Sequence, residues 1–208
     1  MRNPYIPKPP KLDRNNPYDL CIVAEYAGLN DPNNPLPNAT KKGLSGAHSL
    51  AKCGFVKEII WGNSEKPGPG VKILEQTKLD YLHSLGHLAC NTISVVSNNT
   101  IQEVAAIHIA RPRARRIIIL CDGPHARRYR RLVRYFYPDA TRYFYPSPTV
   151  DVMTFKAKWN ENHPSPLQQS APKWWMANLK YHAAMLAYDY TGQMDKFVEK
   201  FGQRTHME

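Results

Sequence analysis

The sequence predicts a three-layer α/β sandwich around a mostly parallel sheet of about five strands. Three observations carry this. Short apolar runs alternate with helical patterns along most of the chain. The runs "YDLCIVAEYA" (18–27) and "RRIIILC" (115–121) are almost continuously apolar, as expected of strands buried on both faces. The segments between them repeat apolar residues every three or four positions, the period of a helix with one buried face.

Taken in order, residues 1–17 form a polar, proline-rich arm, and 18–208 read as one domain. The first strand spans 18–27, and a loop rich in Pro and Asn (29–38) follows. A helix is predicted from Thr40 to Cys53, with Leu44, Ala47, Leu50 and Ala51 on one face and Gly54 past its end. "EIIWG" (58–62) is a second strand and "NSEKPGPG" (63–70) a loop. A helix over 71–85 presents Leu74, Tyr81, Leu82 and Leu85 and stops at Gly86. "TISVV" (92–96) is the third strand, and "SNNT" (97–100) opens a helix to Ala110. The fourth strand, 115–121, leads into a helix over 125–137 on which Tyr129, Leu132, Val133 and Phe136 face the sheet. "TRYFY" (141–145) is the predicted fifth strand. The proline-rich stretch 146–172 reads as an irregular excursion. A last helix starts near Ser170–Pro172 and ends at Gly192, with Trp175, Leu179, Ala183 and Leu186 inward.

Composition narrows the functional classes. The chain is 42% hydrophobic and has no apolar run long enough to span a bilayer. With no signal-peptide pattern at its start, the expected location is the cytoplasm. The four cysteines lack paired short spacings, so neither a disulfide framework nor a metal site is predicted, and Cys21 and Cys121 read as buried apolar residues. The net charge of +11 is concentrated between Arg111 and Arg134, where nine arginines stand with one acid, Asp122. Such a stretch suits a phosphorylated ligand, a nucleic acid or an acidic partner, or is simply a solvated face.

In open parallel sheets, ligands bind beyond the carboxyl ends of the strands. Four loops meet there in this chain. They carry Glu25 and Tyr26; Gly62, Asn63 and Ser64; Ser97, Asn98, Asn99 and Thr100; and Asp122, Gly123, His125 and Arg128. His125 and Arg128 stand three apart on one helix and address one spot. Arg128 fits an anion contact, with Lys41 or Lys42 as a second cation. His125 fits a general acid or base, or a turn histidine bonded to backbone. Glu25 fits a general base or an ion-pair partner. Thr100 and Glu103 have the spacing of a helix capping box, which predicts a structural role for Glu103. Trp174 and Trp175 read as packing residues.

The segments "SNNTIQEVAAI" and "RRIIILCDGPHARRYRRL" resemble the YdcF/SanA/ElyC-like family, through Ser97 and Thr100 in the first and His125 and Arg128 in the second. "LAKCGFVKEIIWGNS" and "NLKYHAAMLAYDYTG" extend the resemblance over most of 18–192. The chain departs from the family pattern at Glu25, Tyr26, Gly43, Val96, Gln102 and Glu103. The resemblance implies a Rossmann-like fold and a nucleotide-like ligand, S-adenosylmethionine among the possibilities. The combined expectation is a protein that binds a small phosphorylated or nucleotide-like anion, with phosphoester hydrolysis or transfer as the chemistry if any occurs. The rivals are nucleic-acid or polyanion binding through the 111–134 arginines, and a family member without chemistry that acts through interactions. The sequence leaves the oligomeric state open.

Overall fold

The computed structural model of the chain describes residues 10–26, 35–63, 70–88, 90–137, 148–159 and 166–203. Among these are five strands, β1 (Leu20–Val23), β2 (Glu58–Asn63), β3 (Asn91–Val96), β4 (Arg116–Asp122) and β5 (Thr149–Phe155). The α-helices are α1 (Asn38–Lys52), α2 (Gly70–Ser84), α3 (Thr100–Ala110), α4 (Gly123–Phe136), α5 (Ala171–Tyr190) and α6 (Met194–Gly202). The strands lie in the order β3-β2-β1-β4-β5 and every neighbouring pair is parallel. That is the strand order of a Rossmann-like fold, in which the chain reverses direction across the sheet between β1 and β4.

The two-residue period of a strand sorts its side chains onto two cores. Leu20 and Ile22 of β1 and Ile117 and Ile119 of β4 meet Val104 and Ile107 of α3 and Tyr129 and Leu132 of α4. Cys21, Val23, Ile118 and Leu120 face the other way and meet Leu44 and Ala47 of α1. All of these are buried, and each fully buried aliphatic side chain contributes roughly 1.5–3 kcal/mol relative to exposure. On α1, a Cβ at Gly43 would stand 2.8 Å from Val23 Cγ1, so the helix approaches β1 more closely there than any side chain permits. Gly43 faces the core.

Four expectations are corrected. The first strand ends at Val23 rather than at residue 27, because Glu25 and Tyr26 leave the ladder to make contacts across the strand ends. The segment 141–145 lies outside the described residues, and the fifth strand of the sheet is Thr149–Phe155, inside the stretch expected to be irregular. Its pattern is that of an edge strand: Val150 and Val152 are buried, while Thr149, Asp151 and Met153 are more exposed. Prolines 146 and 148 precede this strand instead of interrupting it. On α5 the inward face is Trp174, Asn178 and Met185, with Leu179 and Leu186 exposed, one residue out of phase with the expected stripe. The chain also continues past Gly192, at φ 68°, into α6, whose Met194 and Phe197 are buried.

Candidate functional site

The reversal of the chain between β1 and β4 opens a crevice at the carboxyl edge of the sheet, where the loops after the two strands diverge. Aromatic side chains fill it. Tyr26, 3% exposed, donates its hydroxyl to Asp122 Oδ1 at 2.7 Å and accepts from the Asp122 backbone N–H at 2.8 Å. Trp174 reaches in from α5 and donates its indole N–H to Asp122 Oδ2 at 2.7 Å. His125 packs edge-on to Tyr26, Tyr129 and Trp174 and is 2% exposed. Burial raises the Asp122 pKa against the pull of these two donors and of the Arg128 charge. Asp122 is thus the anchor of the crevice: it precedes the first turn of α4 without capping it and binds the plug instead.

At the rim of this plug, His125, Arg128 and Thr100 come together. Arg128 donates from one Nη to Thr100 Oγ1 at 3.0 Å and to His125 Nε2, and Thr100 Oγ1 stands 3.5 Å from the same His125 nitrogen. A guanidinium has only donors, so its contact with Nε2 requires that nitrogen to be an acceptor. The network therefore assigns the ring proton of a neutral His125 to Nδ1, which lies 3.6 Å from Asp122 Oδ1. The guanidinium stacks over Tyr181 of α5, 5.1 Å from the ring centre. Burial lowers the Arg128 pKa from its ordinary value. Among the described residues no carboxylate lies within ion-pair distance of it, and its Nε–H is buried with no hydrogen-bond partner.

A second polar cluster lies beside the first, under the ends of β1, β2 and β3. Glu103 does not cap α3; Asn99 does, accepting from the backbone N–H groups of Ile101 and Gln102 at 2.9 and 3.0 Å. The capping-box expectation fails because Glu103, one turn on, points into the sheet edge. It is 2% exposed there, and its Oε1 accepts from the backbone N–H groups of Gly62 and Glu25, each at 3.2 Å. Glu25 accepts from the Ser97 hydroxyl at 3.2 Å. Lys78 of α2 supplies the cation. Its ammonium donates to the Gly62 carbonyl at 2.7 Å and to Asn63 Oδ1 at 2.8 Å, and stands 3.8 Å from Glu25 Oε1. Gly62 has no room for a side chain, since a Cβ would sit 2.7 Å from Ser97 Oγ and 2.8 Å from Glu103 Cγ.

Lys78 was absent from the sequence-based site, yet a signal for it exists. Leu74, Lys78 and Leu82 are four apart, which sets a lysine within the apolar stripe of a helix, and a cation there needs a buried partner. Burial lowers the Lys78 pKa, against the pull of Glu25, Glu103 and Glu75. For Glu103, burial and then the negative charge of Glu25 push the pKa up to about 8, while Tyr129 and Lys78 favour the ionised form.

A carboxyl whose pKa is higher folded than unfolded stabilises the fold fully below the unfolded value. That contribution is lost as the pH rises through the folded one. For Glu103 the window runs from the ordinary glutamate range to about 8. The Glu103→Gln variant, which keeps an acceptor for Gly62 and Glu25, is expected to lose this part of the pH dependence. Denaturant unfolding at pH 5 and pH 8 should give a smaller difference than in the wild type, by on the order of 1–2 kcal/mol. An identical difference would place the ionisation elsewhere.

The remaining predicted site residues are dispersed. Besides capping α3, Asn99 donates its side-chain N–H to the Gly202 carbonyl at 3.1 Å, and Gln102 donates to the same oxygen at 2.6 Å, so both tie down the end of α6. Lys42 donates to the Lys156 carbonyl at 2.7 Å, and Lys41 lies 6.0 Å from the Tyr81 ring centre. The body of α1 covers the opposite face of the sheet from α4, so neither lysine joins Arg128. Gly123 is half-buried at the start of α4. Ser64 lies outside the described residues. The expected single arginine face is divided: Arg111 forms a bidentate pair with Glu58, Arg116 lies over Tyr18, and Arg128 turns into the site. Among the described residues no helix is long and apolar enough to cross a membrane, and no group of metal-ligating side chains is found.

No family model matches the sequence, and no curated protein matches it. Among solved structures, a universal stress protein in complex with cAMP is similar over 69% of this chain and the whole of that one, with 14% identity and a TM-score of 0.41.

Proposed function

We propose that this chain binds a small phosphorylated anion at the carboxyl edge of its sheet, with Arg128 and Thr100 as the binding contacts. The observation that carries the reading is the guanidinium itself. Arg128 is half-buried, its Nε–H has no hydrogen-bond partner, and among the described residues no carboxylate pairs with it. Taking a cation out of water without a directly paired carboxylate is costly, Asp122 acting on it only at longer range, and an oxyanion that accepts from Nε and Nη relieves that cost. Thr100 adds a hydroxyl at the same point, and α4 begins beside it with no side-chain cap on its first amides.

His125 has a positioning role in this reading. Its Nε2 lone pair accepts from Arg128 and its ring is packed on three sides by aromatics, so it steadies the guanidinium rather than meeting the ligand. Glu25, already engaged by Ser97 and Lys78, is likewise structural. The function proposed is therefore binding, with no proton-transfer step assigned. Thr100, His125 and Arg128 are also residues through which the sequence resembles the YdcF/SanA/ElyC-like family, and on that ground we propose a distant kinship.

Titration calorimetry with inorganic phosphate and pyrophosphate tests the reading. The wild type is expected to bind, Arg128→Met to bind at least tenfold more weakly, and Thr100→Val several-fold more weakly. Equal affinity in all three proteins, or no binding by the wild type, would overturn it.

A further inference from the structure

A groove runs between α4 and α5, lined by side chains other than Arg128, and its two ends differ in chemistry. One end is a cavity of about 460 Å³ lined by Pro124, Arg127, Trp175, Met176, Asn178 and Leu179, apolar apart from Arg127, Asn178 and neighbouring His182. Met176 and Leu179 are exposed, at 53% and 47%, which is unusual for two large apolar side chains one turn apart. The other end, about 560 Å³, shares Arg127 and His182 and adds Arg130, Arg131 and Arg134. Among its lining residues four arginines stand with one carboxylate, Asp189, which pairs with Arg131. Burial and the charges of Arg131 and Arg127 lower the His182 pKa, which favours its neutral form.

A buried polar atom without a partner stands at each end. Asn178 is 2% exposed. Its side-chain N–H donates to the Trp174 carbonyl at 2.9 Å, whereas its Oδ1 has no hydrogen-bond partner. Arg130 Nε, at the cationic end, is a buried donor without an acceptor. Buried polar groups are rarely left unsatisfied, and each such case calls for a partner. Asn178 Oδ1 thus lacks a donor at the apolar end and Arg130 Nε lacks an acceptor at the cationic end.

We infer that this groove binds a nucleoside phosphate, its base held between Trp175, Met176 and Leu179 with a base N–H donated to Asn178 Oδ1, and its phosphate held by Arg127 and Arg130. A flat heterocycle with an N–H donor joined to an oxyanion satisfies both unpartnered atoms at once. The cavity volumes suit a ligand of that size. An arginine-rich end suits phosphate because guanidinium donors match its oxygens in pairs. The same chemistry is offered by a free nucleotide and by single-stranded nucleic acid. The site is separate from the Arg128 site, and its failure would leave that reading untouched.

Titration calorimetry on the full chain in the Arg128→Met background isolates the groove. The probes are AMP, adenosine, inorganic phosphate and a single-stranded adenine decamer. AMP or the decamer is expected to bind, and both adenosine and phosphate to bind at least tenfold more weakly, since each satisfies one end only. Asn178→Leu and the double variant Arg127→Gln/Arg130→Gln are each expected to weaken binding at least tenfold. The arginine pair keeps the test valid if Asn178→Leu fails to fold. Equal affinity for AMP and the decamer identifies the nucleotide as the recognised unit, and binding of the decamer alone identifies the nucleic acid. No binding of either, phosphate bound as tightly as AMP, or affinity unmoved in the folded variants would overturn the inference.

Discussion

Replacing Trp174 with alanine is expected to lower the stability of the fold by about 4 kcal/mol, the upper range for emptying a large aromatic site. Two losses combine. The indole is 6% exposed and fills the crevice between β1 and β4 together with Tyr26, His125 and Trp159. Its N–H also satisfies Asp122 Oδ2, a buried carboxylate oxygen that loses this hydrogen-bond donor when the indole is removed. Trp174→Phe separates the terms, because it restores most of the ring and none of the hydrogen bond. Urea unfolding of the two variants should give losses of about 4 and about 2 kcal/mol. A loss below 1 kcal/mol for Trp174→Ala would mean that the crevice is not held shut by this contact.

Lys78→Met is expected to cost about 3 kcal/mol at pH 8 and less at pH 5. Methionine keeps the volume and the unbranched shape but removes the charge. That strands the Gly62 carbonyl and Asn63 Oδ1 without their donor and leaves Glu25 and Glu103 facing each other without a cation. Breaking a buried pair from one side typically costs 3–5 kcal/mol, because the remaining charge stays desolvated. The pH dependence follows from Glu103: as the pH falls below its raised pKa of about 8 it takes up a proton, the repulsion from Glu25 fades, and the missing ammonium matters less. Adding Glu25→Gln to Lys78→Met should therefore recover part of the loss at pH 8. Unfolding free energies equal to wild type at both pH values would show that the ammonium gives no net stabilisation.

These two variants probe contacts of different legibility. Asp122, His125 and Arg128 can be named from the sequence because a strand–Gly–Pro–helix junction carries its own signature, and residues three apart on a helix share a face whatever surrounds them. Nothing local says that Trp174, rather than Trp175, turns inward. The helical period was clear on α5, but its phase was not, since apolar residues occur on both flanks and only docking against α4 selects one. The strand Thr149–Phe155 is hard to read for a similar reason: it buries one side, so "TVDVMTF" has a weaker apolar signal than a strand buried on both faces.

By itself, the sequence determined the layered α/β architecture, the parallel central strands and the set of loops that meet at their carboxyl ends. Burial on both faces writes a local pattern that survives without knowledge of the partner. Only the tertiary structure decided what each polar residue does there. Asp122 meets Tyr26 across 96 residues and Trp174 across 52, and Glu25 meets Glu103 across 78. Periodicity fixes a side chain's direction within its element. The partner of a buried polar group depends instead on which distant segment packs over it, and that is how the Glu103 of a predicted capping box becomes a buried acid and Lys78 the cation beside Glu25.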